Sequence, residues 1–565
     1  MSRPLARSFA VLATLVALSP FSLQAQQRAS AITRVTAALR PGEVWAPLRF
    51  LSDDLLEGRG TGARGGELAV QYIASQFLAL GLQPAGDSGT FFQRVPIVAQ
   101  NPTATLDYTA GAESHPLRFR QDFVAWSEQI PAAPATDRPA AATYSSVEGT
   151  GEIVFVGFGI AAPQYQWDDY KGTDLNGKIL LMLVNDPGMR DPALFRGTTL
   201  TYYGRWTYKL EEAARRGAAG VLMVHNDTMA TYGWNTVVNS WTGDQVRLIK
   251  PNTSLMWAGW ITQAAATAML HDRNLDLSQL MAAATRRDFR PVATGITVHG
   301  TVTSSVRRTT TANVVARLPG SDPALRDQVV VIGAHWDHHG ISRPVNGDSI
   351  LNGALDNASG VAVMLSLADA FTRAGVAPRR SILFVSFTAE EKGLLGSQAF
   401  AEHPPVPLRN VAAILNVDGA NLWGATRDIG ALGTDQSALG DVFAQAARAE
   451  HLAVTTSVDA LKSGSFFRSD HFPLARVGVP GLSFQTGDDF VGKPREWGEQ
   501  QRVEYNRLRY HQPGDEILPW YTVDGALQQA RVIARVAWLV GDAPQQPRWN
   551  PASEFRAAGD RRLER

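Results

Sequence analysis

From about residue 311 the chain alternates short, uninterrupted apolar runs with segments in which apolar residues recur at helical spacing. The near-continuous Val/Ile run over 329–334 is typical of a strand buried on both faces of a sheet. Strands alternating with helices predict a three-layer α/β/α sandwich around a mostly parallel sheet. The predicted strands cover 312–318, 329–334, 381–387, 411–417 and 481–484. The predicted helices cover 359–372, 394–403, 438–451 and 521–540.

The first 300 residues have a different pattern, which predicts two further parts. Helices are expected over 44–56 and 67–80 and short strands over 91–98 and 104–108, so 30–140 is assigned to the N-terminal part of the main domain. A Pro/Ala-rich stretch over 130–143 lacks periodicity and predicts a boundary. A second, mixed α/β unit is expected over 145–300, the main domain over 311–543 and a flexible, Arg-rich tail over 544–565.

Composition excludes several classes of function. Lys plus Arg and Asp plus Glu both number 53, so no basic excess favours nucleic acid as a partner. The chain has no cysteine, so any metal must bind to histidines and carboxylates. Arg3 and Arg7 precede an apolar run over 9–18 that is too short to span a bilayer, which takes roughly 20 apolar residues. This pattern predicts a signal peptide over 1–25 and an exported bacterial protein, periplasmic or extracellular, with no membrane span after removal of the signal.

Potential metal ligands follow three of the predicted strands directly. His335 follows the strand over 329–334, Glu390 and Glu391 follow the strand over 381–387, and Asp418 follows the strand over 411–417. Ligands of open α/β sheets bind at the carboxyl ends of the strands, so these side chains are expected to meet at one edge. Histidine nitrogens and carboxylate oxygens at such an edge predict a hydrolytic metal site.

Chemistry suggests a role for each neighbouring group. Asp337 is placed to accept the second ring N–H of His335, and Asp356, among small residues, can bridge two cations. Adjacent side chains point in different directions, so one of the two consecutive glutamates would bind metal and the other would act as general base. The last ligand is expected from the C-terminal third, where His471 and His511 both lie in loops near strand ends. The residues alone leave the choice between these two open.

Six motifs in this order resemble the co-catalytic di-zinc aminopeptidases, a family that includes bacterial leucyl aminopeptidases, glutamate carboxypeptidase II and the non-catalytic transferrin receptor. The motifs are GAHWDHHG, GALDNASG, FTAEEKGLLGS, LNVDGAN, SDHFP and YHQPGDE, and they extend over about 312–540. DLLEGRGTG near residue 54 resembles the family's N-terminal part, and the unit over 145–300 resembles an inserted protease-associated (PA) domain.

The resemblance implies two Zn²⁺ ions and a role for each matched residue. One zinc would be held by His335 and Asp418, the other by Glu391 and His511, and Asp356 would bridge them. Glu390 would be the general acid/base, Asp337 would orient His335, and His471 would help to shape the substrate site. Asn357 stands where many relatives have a second Asp, which is not a ligand.

The activity implied by the resemblance is that of a metallo-exopeptidase, most readily an aminopeptidase acting on peptides or proteins. Within the same fold, a carboxypeptidase would need a cation such as Arg468 aimed at the substrate carboxylate. A receptor-like protein of this fold would have lost metal ligands, whereas this chain keeps a suitable residue at all five ligand positions. A glutaminyl-cyclase-like acyltransferase is expected to use one zinc. The sequence determines neither the preferred substrate side chain nor the oligomeric state.

Overall fold

The parallel sheet at the centre of the protein is built from the apolar runs that the sequence predicts to be strands. The computed structural model describes residues 30–130, 143–230, 232–250 and 252–564. The predicted signal peptide over 1–25 and most of the Pro/Ala-rich boundary over 130–143 lie outside these residues. Neighbouring strands of the main domain follow one another in the order Ala453–Thr455, Asp428–Leu432, Gly481–Gln485, Val411–Val417, Val329–His335, Ser381–Phe387 and Val292–Leu318.

Four central strands are parallel, and each of the two strands that flank them is antiparallel to the central strand beside it. The parallel ones are Val411–Val417, Val329–His335, Ser381–Phe387 and Gly481–Gln485. Val292–Leu318 pairs antiparallel with Ser381–Phe387, and Asp428–Leu432 pairs antiparallel with Gly481–Gln485. All carboxyl ends of the four parallel strands therefore lie at one edge.

Helices cover both faces of this sheet, so the predicted α/β/α architecture is confirmed. Alternate residues of a strand point to opposite faces: Val330 and Ile332 belong to one apolar cluster, and Val329 and Val331 to another. Helices on the first face are Pro41–Leu51, Arg64–Ala79, Ser359–Ala374, Leu439–Ala449 and Asp524–Asp542. Helices on the second face are Leu395–Glu402 and His471–Arg476. Further helices of this domain extend over 30–38, Val458–Lys462, Trp497–Leu508 and Arg556–Glu564.

The second unit has its own apolar core and shares two long strands with the main domain. Phe92–Ala110 and Val292–Leu318 pair along almost their whole length, and the latter also pairs with Thr143–Phe155. Other strands of the unit are Phe123–Trp126, Ile179–Leu183, Gly220–His225 and Trp257–Thr262. Its helices are Trp206–Arg215, Asp227–Ala230, Trp234–Trp241, Gln263–His271 and Leu277–Ala283.

The extent of the second unit and the packing of the C-terminal segment differ from those expected. The core of the second unit begins at Ala104, because the strand that contains it pairs with Val292–Leu318, so the unit is larger than 145–300. Residues 544–565, expected to be a flexible tail, instead pack on the main domain as far as they are described. Trp549 and Phe555 are buried there, and Arg562 is only 5% exposed. Among the described residues, no helix combines the length and the apolarity needed to cross a membrane.

Candidate metal centre

The carboxyl edge of the parallel sheet gathers the predicted ligands from separate parts of the chain. His335 is the last residue of its strand, Glu390 and Glu391 follow Ser381–Phe387, and Asp418 follows Val411–Val417. Asp356 lies just before the helix Ser359–Ala374. The strand order places these loops side by side, which is why residues far apart in sequence meet.

His335 lies at the centre of one group of ligand atoms. Its Nε2 is 3.2 Å from Asp418 Oδ1 and 3.3 Å from Asp356 Oδ1. Glu390 Oε2 lies 4.0 Å from the same nitrogen. The His335 side chain is 1% exposed, so this nitrogen faces the carboxylates and not bulk water.

His511 forms a second group on the other side of Asp356. Its Nε2 is 3.3 Å from Asp356 Oδ2 and 3.2 Å from Glu391 Oε2. Asp356 thus offers Oδ1 to the group around His335 and Oδ2 to the group around His511, as a bridging carboxylate must. All five predicted ligands come together, and the chain places His511, not His471, in the centre.

The two consecutive glutamates are in electrostatically different surroundings. Burial, reinforced by Asp418, raises the pKa of Glu390 well above its usual range, against the lowering effect of His335. Burial would also raise the pKa of Glu391, but His339, His511 and His338 hold it well below its usual range. Their surroundings therefore shift the pKa values of the two neighbouring carboxyl groups in opposite directions.

Asp337 contacts His335 differently from the arrangement expected. The acceptor nearest to His335 Nδ1 is the backbone carbonyl of Asp337, at 3.1 Å, whereas the Asp337 carboxylate lies 3.9 Å away. The carboxylate accepts the backbone N–H of Glu390 at 3.0 Å and the hydroxyl of Thr61 at 3.1 Å. In this geometry Asp337 positions the loop of Glu390 and the N-terminal segment as well as the strand end.

His471 lies in the core and not on the wall of the centre. It is fully buried at the start of the helix His471–Arg476, and its ring packs edge-on against Phe466 at 4.6 Å. Burial lowers its pKa to about 3. Any influence of His471 on substrate must therefore act through the packing of this helix, because its side chain has no exposed surface.

Several groups around the ligands were given no role by the sequence. Asp515 accepts the backbone N–H groups of Leu355 at 3.1 Å and Asp356 at 3.0 Å and so holds the bridging residue. Arg59, fully buried, donates to the backbone carbonyls of Asn352 and Gly353. Both residues stand inside motifs already noted, GDE and EGRG, but only the fold reveals which backbone groups they contact.

The donor set fits zinc. Three groups of His, Asp and Glu side chains have ligand atoms within 4.8 Å of one another: His338/His339/Glu391, His335/Asp356/Glu391 and His335/Glu390/Asp418. Imidazole nitrogens and carboxylate oxygens in such numbers are the usual zinc ligands of hydrolases. The arrangement can hold two cations, one on either side of Asp356, with Glu390 beside the first.

Comparison with known proteins agrees with this chemistry. Residues 313–534, the part of the chain that carries the six motifs, match the model of peptidase family M28. A probable zinc metalloprotease of Pyrenophora teres f. teres is 31% identical over 248 residues, which are 41% of this chain and 49% of that protein. Leupeptin-inactivating enzyme 1 of Streptomyces exfoliatus is 28% identical over 255 residues, 44% of this chain and 52% of that protein. The chain spans about half the length of these curated relatives.

Solved structures give matches over most of the chain. The aminopeptidase from Aneurinibacillus sp. strain AM-1 is 20% identical with a TM-score of 0.47, and the match covers 91% of this chain and 97% of that one. A zinc aminopeptidase from Bacillus subtilis is 19% identical with a TM-score of 0.41, over 92% of this chain and 99% of that one.

Proposed function

Starting from the match of residues 313–534 to peptidase family M28, we propose that this chain is a zinc-dependent exopeptidase, specifically an aminopeptidase. The observation that carries the proposal is the position of Asp356, whose two oxygens lie 3.3 Å from His335 Nε2 and 3.3 Å from His511 Nε2. His335 and Asp418 would hold one zinc, Glu391 and His511 the other, and Asp356 would bind both.

The reaction proposed is hydrolysis of a peptide bond without a covalent intermediate. Two bound zinc ions would polarise the scissile carbonyl and make a water molecule more acidic. Glu390 accepts the proton of the attacking water and then gives it to the leaving amine, so its carboxyl group returns to its starting state. Burial suits Glu390 to this task, because it raises the pKa of the carboxyl group and lets it hold a proton between the two steps.

Glu390→Gln tests the role of the proposed acid/base. Gln has nearly the same shape but cannot accept the proton, so kcat should fall at least ~10²-fold. Zinc content, measured by mass spectrometry of the metal, should remain that of the wild type, because Glu390 is not among the proposed ligands. Cleavage at the wild-type rate would contradict the assignment.

A carboxypeptidase is the second candidate, and one observation favours it. Arg468 lines a cleft together with Arg205 and Lys462, and within the described part of the chain neither arginine forms an ion pair. Burial and the charge of Arg468 lower the pKa of Arg205 to about 10. Unpaired cations suit the carboxylate at the end of a peptide.

The end of the peptide that is shortened distinguishes the two activities. Mass spectrometry of products from a peptide library, with zinc present, should show residues lost from the amino end. Loss from the carboxyl end, abolished by Arg468→Ala, would establish the second candidate. No cleavage at either end by zinc-loaded protein would contradict both.

The proposal extends to the place and the partners of the protein. The N-terminal sequence pattern supports export to the periplasm or beyond, and the unit that resembles a PA domain is proposed to contact peptide or protein substrates. Detection of the protein lacking its first 25 residues in a periplasmic fraction would test export. Retention of the full-length chain in the cytoplasm would contradict it.

A further inference from the structure

The loop after the strand Val329–His335 carries two more histidines, His338 and His339, which the reaction proposed above does not use. Both lie beside Glu391 at the edge of the centre. His338 is completely buried, and the side chain of His339 is 24% exposed. Two further imidazoles next to a proposed metal ligand call for a chemical explanation.

The nitrogens of His339 and His511 converge on one carboxylate oxygen. His339 Nε2 is 3.1 Å and His511 Nε2 is 3.2 Å from Glu391 Oε2, and the ring centroids are 4.2 Å apart. Among the described residues, neither nitrogen has a partner in suitable hydrogen-bond geometry. Imidazole lone pairs that approach a carboxylate from two sides, without directed hydrogen bonds, surround a point where a cation would attract all three groups.

His338 contacts the other oxygen of the same carboxylate. Its Nδ1 lies 2.7 Å from Glu391 Oε1, in hydrogen-bonding geometry. The backbone of Gly353 packs closely against the ring: a Cβ added at this glycine would lie only 2.7 Å from ring atoms of His338. A histidine that donates to one carboxylate oxygen leaves the second oxygen free to bind metal and fixes its direction.

We propose that His339 is a ligand of the zinc held by Asp356, Glu391 and His511, and that His338 is a positioning residue for Glu391. This inference rests on the proposed function. The ligand atoms would be Nε2 of His339 and His511 and one oxygen each of Asp356 and Glu391. Two nitrogens and two oxygens are ligand atoms that zinc commonly binds in proteins.

The two metal positions would then differ in their number of protein ligands and in their role. The position at His335 has three protein ligand atoms, from His335, Asp418 and Asp356, and keeps a place open for water, as catalytic zinc sites do. Glu390 lies next to it, with Oε2 4.0 Å from His335 Nε2. The position at His339 has four protein ligand atoms, one more than the position at His335, so its ion is held more tightly and exchanges more slowly.

The test compares metal binding by the wild type and His339→Phe. Phe keeps a ring against His511 but removes the nitrogen. Titration against a chromophoric chelator should resolve two unequal zinc affinities in the wild type. In the variant the tighter Kd should rise at least ~10-fold, the scale of losses around metal ligands, while the weaker Kd stays unchanged. The visible spectrum of the cobalt-substituted protein should also change.

Controls separate the possible outcomes. His403→Ala removes an exposed histidine elsewhere in the main domain and should leave both affinities unchanged. If His339→Phe fails to fold, as judged by circular dichroism, His339→Ala replaces it. Two wild-type affinities and an unchanged cobalt spectrum in the variant would overturn the inference but leave the proposed function intact. A wild-type protein that binds no metal would instead overturn the proposed function.

Discussion

At the scale of single residues, two side chains of the metal centre are chemically identical but lie in different surroundings. Glu390 and Glu391 are adjacent, and their side chains are only 10% and 4% exposed. Three histidines lie close to Glu391, whereas Glu390 has one, His335, nearby. The repeated Glu-Glu in the sequence predicts two different roles, and the histidine loop decides which residue has which. Local charge thus selects the ligand, and the remaining carboxyl group is available for proton transfer.

Asp337→Asn tests the link between the metal site and the loop of Glu390. The Asp337 carboxylate accepts the Glu390 N–H on one oxygen and the Thr61 hydroxyl on the other. Asn keeps one of these acceptors and replaces the other with an NH2 group, which cannot accept. Zinc affinity or activity should fall ~10–100-fold. Thr61→Val removes one of these hydrogen bonds and should have a smaller effect. An unchanged zinc titration together with an unchanged rate would exclude Asp337 from the site.

His471→Asn tests burial of an ionisable group. The pKa of His471 is about 3 in the folded protein and about 6.5 when unfolded. Only the unfolded state gains the proton between these values, so stability present above pH 6.5 is lost as the pH falls towards 3. From pH 7 to pH 5 this costs about 2 kcal/mol.

The variant lacks this ionisation and should lose less thermal stability than the wild type over the same range. Melting temperatures at pH 7 and pH 5 provide the measurement, and the carboxylates of the centre contribute equally to both proteins. Equal losses in the two proteins would mean that His471 ionises in the folded state.

At the scale of elements, the last helix closes the second face of the main sheet. Arg562 Nη1 donates to the Val411 carbonyl at 2.7 Å, and Nε donates to the Gly478 carbonyl at 3.0 Å. The Val411 carbonyl lies at the start of the strand Val411–Val417, and the Gly478 carbonyl lies just before the strand Gly481–Gln485. An Arg-rich composition suggests a solvated tail, but buried carbonyls need donors, and a guanidinium supplies several at once.

Arg562→Met should therefore destabilise the main domain. The Val411 carbonyl loses its Arg562 donor, whereas the Gly478 carbonyl still accepts from Trp549 Nε1 at 3.0 Å. Loss of a donor to a buried carbonyl costs ~1–3 kcal/mol, and the urea midpoint of unfolding should fall accordingly. Arg561→Met, at the exposed neighbouring position, provides the matched control and should leave the midpoint almost unchanged. Equal midpoints for both variants would show that the helix does not stabilise the sheet.

At the scale of the whole molecule, the two units touch at a second place besides their shared strands. The Tyr202 ring packs 5.1 Å from that of Phe472, and its backbone N–H donates to Glu554 at 3.0 Å. Arg476 pairs with Glu211 at 2.9 Å. The second unit therefore rests against the helix His471–Arg476.

Tyr202→Ala should loosen this contact without unfolding the central sheet. Hydrogen exchange followed by mass spectrometry should become faster in the helix His471–Arg476, while Val329–His335 retains its protection. Tyr144→Ala, at a tyrosine that is 82% exposed, serves as control and should change neither. Unaltered exchange in the helix would show that Tyr202 does not couple the two units.

The sequence by itself determined the α/β order and the sheet edge at which the predicted ligands meet, because strand patterns and the residues that end them are local properties. The choice of His511 over His471 came instead from the resemblance of the motifs to the di-zinc aminopeptidases. It did not reveal that two strands extend through both units, since paired residues lie as far apart in sequence as Phe92 and Val314. Tertiary structure alone decided the burial of His471, the packing of the last helix and the approach of His339 to Glu391. Each of these depends on contacts between segments that are far apart in the sequence. The pattern of residues within one segment does not determine such contacts.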